Sequence, residues 1–184
     1  MEVLRKYQTF WPRFWAGWID VLIFLPLYFV DSWVQGATAA PAMLALWFIA
    51  YTFCTDIYSV SMHAHYGQTL GKMAMGVKVL DLSEAKLSLR QAVLRDIVPI
   101  ALSLTTVVNG LPRVLAGLDP YIDPSEFNWI DKFWLFGSLI WFVAELATML
   151  TNAKRRAVHD FIAKSVVVRV SYLPSEANDG AAAA

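Results

Sequence analysis

The chain has 184 residues and no net charge, 15 Lys plus Arg balancing 15 Asp plus Glu, so its electrostatics give no support to a nucleic-acid partner. Hydrophobic residues make up 58% and charged residues only 16%, where soluble domains carry about a quarter charged. With eight Trp and a mean hydropathy of +0.48, the apolar residues gather in blocks of about 20, which excludes an ordinary soluble domain and marks membrane spans.

Residues 1–9 form a short tail carrying Arg5 and Lys6. A first span is expected over residues 11–34, with Trp11, Trp15, Trp18 and Tyr28 as interface or packing aromatics and Pro26 either kinking it or absorbed by a neighbour. It exceeds a signal-peptide core and has no small-residue cleavage site, so it reads as a retained span. A second span covers 42–62 and carries Asp56; the lone Cys54 within it reads as a packing residue.

Residues 63–90 break the pattern. Gln68–Gly76 reads as a short amphipathic piece at the membrane surface, and Val77–Leu82 alternates like a strand. Leu87–Leu89 is a candidate return strand, and the β-branched Ser165–Val170 is a candidate partner for the first, giving a small sheet cap. A third span is expected over 94–111, ended or bent by Asn109-Gly-Leu-Pro112. Residues 119–131 read as an acidic outer loop, 132–151 as a fourth span carrying Glu145, and 171–184 as a disordered tail.

Lys and Arg placement orients the chain. The outer loops hold only Arg113 and Lys132, so both termini and the 63–90 segment are expected in the cytoplasm. The fold class expected is therefore an all-α membrane protein of four transmembrane helices with a cytoplasmic β cap, sited in the plasma (inner) membrane.

Arg13 and Asp20 lie seven residues apart, nearly on one helical face, with Ala16 and Gly17 between them offering close approach to another helix. The orientation also puts Asp20, Asp56 and Glu145 at one depth, about 10 Å above the inner interface. Arg13, Arg95 and Asp96 lie at that interface. Carboxylates so placed can take up a cation or protons, with Arg13 and Arg95 as tuning countercharges. The structural alternative is a satisfied network of ion pairs and hydrogen bonds. His63-Ala-His65 lacks further ligands for a metal and reads as a solvated pair. His159-Asp160 has the residue types of a proton-handling pair, but a cap or turn holding the last helix to the sheet is the simpler account; Asp160, His159 and Asp96 are expected to be structural or gating. Lys72, Lys78, Lys154 to Arg156 and Lys164 are assigned to lipid head groups. With no nucleophile–base set, neither an enzyme nor a cofactor is expected.

Arg13-Phe-Trp-Ala-Gly-Trp-Ile-Asp20, Gly67 to Asp81, and Ala157-Val-His-Asp-Phe161 through Val168 together resemble the RDD family of small membrane proteins, in consistent order from about Tyr7 to Val170. That family is named for one arginine and two aspartates. The resemblance implies Arg13 and Asp20 as the first two and Asp160 as the third, and it matches Arg95 to a basic position at the next helix start. It also implies transport, sodium or potassium/proton antiport in some members. Ala157-Val158 and Lys164 depart from glycines common in the closing segment. Small-transporter function, monovalent cations, protons and lipids as partners, and a homo-oligomer are the expectations that result. The rival is a non-transporting scaffold or lipid-binding protein whose charges are structural.

Overall fold

The computed structural model describes residues 5–36, 39–120, 125, 127 and 129–173. In chain order these give α1 (Phe10–Gln35), α2 (Pro41–Tyr66), α3 (Leu70–Ala74), β1 (Val77–Asp81), α4 (Leu89–Arg95), α5 (Ile97–Leu115), α6 (Trp129–Thr151), α7 (Val158–Ile162) and β2 (Ser165–Arg169). Helices α1, α2 and α5 are long and apolar enough to cross a membrane, while the apolar part of α6 runs over Leu135–Thr151. Their outward faces carry large apolar side chains: Leu22, Leu46, Val108 and Ile140 are all more than half exposed. Contiguous exposure of that kind is unfavourable in water and ordinary in lipid.

Local chemistry sets the breaks between elements. Pro41 starts α2, where its missing N–H costs nothing. Gly67 ends that helix in the left-handed region at φ 70°, its N–H donating to the His63 carbonyl. A Cβ there would also lie 2.7 Å from the Val79 carbonyl oxygen, so only glycine lets β1 come this close. Thr69 caps α3 and Ser88 caps α4, the latter in a reciprocal box with Gln91.

The β cap is a two-stranded antiparallel sheet, with Val77 opposite Arg169, Val79 opposite Val167 and Asp81 opposite Ser165. Alternate side chains serve two faces. Val77, Val79 and Val167 pack with Leu87 and Ala92 against Val60 and Ala64 of α2. Leu80, Val166 and Val168 pack on the other face beneath Tyr7. The segment before α1, the segment between α2 and α5 and the segment after α6 thus meet in one place. A further contact, Phe48 with Ala45 and Val114, joins α2 to α5.

Several sequence expectations are corrected. Leu87–Leu89 does not return as a strand, apart from an isolated Leu80–Lys86 bridge, because the Ser88 cap commits Leu89 to a helix. Helix α2 continues through His63 and His65 to Tyr66. The third span divides at Asp96, which separates α4 from α5, and α5 then runs through Pro112 to Leu115. Helix α1 runs on through Pro26 from Phe10 to Gln35, which fits the expectation of a kink or an absorbed proline. Val170–Tyr172 form a 3-10 turn. The rest of the expected tail, and residues 121–124, 126 and 128 of the expected outer loop, lie outside the described residues.

Candidate functional site

Among the described residues Asp160 is the most buried carboxylate, fully inaccessible on α7. Its Oδ2 accepts from Arg13 Nη1 at 2.7 Å and from the Ala157 N–H at 2.8 Å. Its Oδ1 accepts from Arg95 Nη1 and from Ser165 Oγ, the latter at 3.2 Å. Burial alone would raise its pKa, but the two guanidinium groups overcome it and hold the carboxyl well below the usual range. One side chain therefore ties α1, α4, α7 and β2 together.

The second nitrogen of each guanidinium group turns to His159. Arg13 Nη2 stands 3.0 Å and Arg95 Nη2 2.9 Å from His159 Nε2. Guanidinium groups only donate, so Nε2 accepts and the ring proton resides on Nδ1. Burial, then the Arg95 charge, lowers the imidazole's pKa, consistent with that neutral form. Nδ1, which carries the ring proton, lies 2.8 Å from Glu145 Oε2, within ion-pair distance. Glu145 Oε1 accepts the His159 backbone N–H at 3.1 Å. Arg95 Nε is buried without a hydrogen-bond acceptor.

Asp20 does not pair with Arg13. Its Oδ1 accepts from Tyr58 Oη and the Gly71 N–H, each at 2.9 Å, and its Oδ2 from Thr69 Oγ1 at 2.6 Å. The carboxylate thereby fastens α3 to α1, and the fit is close: a Cβ on Gly71 would fall 2.1 Å from the Ala16 carbonyl oxygen.

Beyond Asp20, α3 directs Lys72 inward, Nζ 3.0 Å from His63 Nε2. Ser59 Oγ donates to Asp96 Oδ2 at 2.7 Å. Having spent its proton there, the hydroxyl can only accept from His63 Nδ1 at 3.3 Å. That leaves His63 Nε2 to accept from the ammonium group. The result is a directed row, Lys72 to His63 to Ser59 to Asp96. Burial, then the charges of Arg95 and Arg13, pushes Lys72 down to about 8.

Cavities follow these groups. One of about 550 Å³ is lined by Arg13, Lys72, Arg95, Asp96, Glu145 and His159, with Phe14, Trp18, Trp141 and Phe142 as apolar wall. A second, of about 500 Å³, lies between α1 and α2 and is lined by Asp20, Tyr58, Thr69 and Phe24. Lys72, Ser59 and Val21 line both. A third, of about 200 Å³, shares Phe24, Tyr51 and Thr55 with the second and reaches Thr106 of α5.

The residues singled out from sequence thus fall in separate settings. Arg13, Arg95, Glu145, His159 and Asp160 come together; Asp96 joins the Lys72 row; Asp20 lines the second cavity. Asp56 lines none of the three, pointing one oxygen to Ser103 and burying the other without a donor. His63 is 2% exposed rather than solvated, and Lys72 faces the cavities rather than head groups. Arg155 and Arg156 bind backbone carbonyls of Leu150, Ser165 and Asp160. Sequence reasoning missed the Lys72–His63 pair. Helical spacing puts Ser59 and His63 one turn apart, but only the fold of α3 brings Lys72 to them. Among the described residues no group of three or more His, Cys, Asp or Glu side chains is placed to hold a metal ion.

An uncharacterised membrane protein of Bacillus subtilis (strain 168), YteJ, is 25% identical over 171 residues, covering 89% of this chain and 82% of the relative. No solved structure matches. The sequence pattern of the RDD family matches residues 7–164, and the chain is a membrane protein belonging to the RDD family.

Proposed function

We propose that the protein is a four-span membrane transporter exchanging protons for a monovalent cation, with Glu145 and His159 at the proton-accepting end of its path. The observation that carries this reading is the string of three adjoining cavities. It starts at the Glu145–His159 end, passes Lys72 and continues between α1 and α2 toward Thr106. Glu145 Oε2, buried on the wall of such a cavity and 2.8 Å from His159 Nδ1, is a place where a proton can be taken up and released. Asp20, on the wall of the second cavity, is a further proton-accepting group of the path, and Asp56 of α2 stands beside it without lining a cavity. Convergence of the three segments on the β cap supports four crossings with both termini on one side, and the Lys and Arg bias assigns that side to the cytoplasm. A homo-oligomer would enclose the α1 and α6 faces that a single chain leaves to lipid.

Cation-driven proton flux in proteoliposomes tests the reading. Wild-type protein should acidify or alkalinise the lumen on a sodium or potassium gradient, and Glu145→Gln should reduce the rate by about tenfold or more. Full flux in both Glu145→Gln and Asp20→Asn would remove these carboxylates from the mechanism. One observation favours a second reading, a non-transporting membrane scaffold. Asp20 and Asp160 accept three and four hydrogen bonds respectively, as structural ties do. On that reading the substitutions lower melting temperature and the reconstituted wild type carries no flux.

A further inference from the structure

Lys72 is the one basic side chain common to the two larger cavities. Among the described residues no carboxylate lies within ion-pair distance of its ammonium, whose hydrogen-bond partner is a histidine nitrogen. The groups around it are Arg13 and Asp20 from α1, Tyr58 and His63 from α2, and Arg95 with Asp96 from the α4–α5 junction. Glu145 of α6 and His159 of α7 close the far side of the larger cavity. A lysine held this way differs from the arginines beside it, because its proton can leave at attainable pH and theirs cannot.

We propose that Lys72 and His63 form the proton-exchange gate of the path, passing a proton between the joint of the two cavities and Asp96. This rests on the transport reading above for its purpose, though not for its chemistry. The N–H bond at Lys72 Nζ breaks as one forms at His63 Nε2. The imidazolium gives its Nδ1 proton to Ser59 Oγ as the hydroxyl proton passes to Asp96 Oδ2. An ammonium and a carboxylate become an amine and a carboxylic acid, so the charge of the four groups is unchanged. The hydrogen-bond directions already match this order: His63 Nε2 is the acceptor facing Lys72, and Ser59 already donates to Asp96. Burial beside two arginines lowers the cost of deprotonating the amine.

Two measurements on the full chain test the gate. The first follows acetylation of Lys72 against pH by mass spectrometry in detergent, with exposed Lys86 as the internal reference. A midpoint near 8 for Lys72 is expected. A midpoint with the ordinary lysines overturns the proposal, as does an amine inert at every pH, since a group sealed from both cavities cannot exchange protons. The second compares proton flux of wild type, Lys72→Arg and Lys86→Arg in proteoliposomes. Lys72→Arg keeps the charge and loses the removable proton, so flux should fall by about tenfold or more while Lys86→Arg retains it. Unchanged flux in Lys72→Arg overturns the gate and leaves the transporter standing. A wild type without flux whose Lys72 still titrates near 8 removes the transporter and supports the proton site.

Discussion

Arg13 and Asp160 are separated by 147 positions in the chain and by 2.7 Å in space. The pair joins the first turn of α1 to the last short helix, and Arg95 completes it from the middle of the sequence. Asp160→Asn would leave two largely buried guanidinium groups facing an amide, an uncompensated charge costing about 3–5 kcal/mol. A large fall in melting temperature in detergent is expected. Ser165→Ala removes only the weakest of the four donors and should cost about 1 kcal/mol.

Acid should act through the same carboxylate. Its folded-state pKa lies well below its unfolded value of about 3.9, so the stabilisation is fully present above that value. It is lost as pH falls toward the folded pKa, because only the unfolded chain takes up the proton in that interval. Melting temperature measured from pH 6 down to pH 3 should hold and then drop below about pH 4. Ser165→Ala, which keeps both guanidinium groups and the Ala157 N–H on the carboxylate, should show the same drop from a slightly lower starting point.

The large features were legible because they are periodic or compositional. Apolar blocks announced α1, α2 and α5, and β-branched runs announced both strands of the cap. The alignment of Arg13 with Asp20 on one face was also readable, but not its meaning. A shared face allows a contact without requiring it, and α3 supplies Asp20 with three better-placed donors while Asp160 draws Arg13 away. Lys72 illustrates the same limit. In sequence it is a lysine of an amphipathic piece, and head groups are the default; the short turn at Gly67 and the anchor at Asp20 aim it inward. The Ser88 box was present in the sequence too, and weighing it would have turned Leu89 from strand to helix.

Close approach of α3 to α1 depends on one missing side chain. The Cβ of Gly71→Ala would stand 2.1 Å from a backbone oxygen that cannot rotate away, so the helices must separate. A cost of about 1–3 kcal/mol is expected, together with weaker Asp20 contacts. Gly17→Ala is the control on the opposite expectation. Sequence suggested a packing role for Gly17, yet a Cβ there meets nothing within 4 Å, so helix propensity should leave stability unchanged or raise it by up to about 1 kcal/mol. Should the two variants melt alike, the α1–α3 contact is not the one described.

Lys72 makes a prediction for stability that is independent of flux. Its pKa is near 8 in the folded protein and at the ordinary 10.5 once the chain unfolds. Below 8 both states carry the proton, and the folded state bears the cost of a half-buried cation beside two arginines. Between 8 and 10.5 the unfolded chain binds more protons, so stability rises with pH across this window. The Tyr7 phenol, raised to about 12 by its hydrogen bond to Glu84, opposes the trend only above its unfolded value of 10.0. Melting temperature should therefore climb from pH 7.5 to 9.5 in wild-type protein. In Lys72→Met the half-buried ammonium is gone, and the same scan should start higher and stay flat. A wild-type curve that falls over this range would mean that Lys72 is satisfied as a cation where it stands.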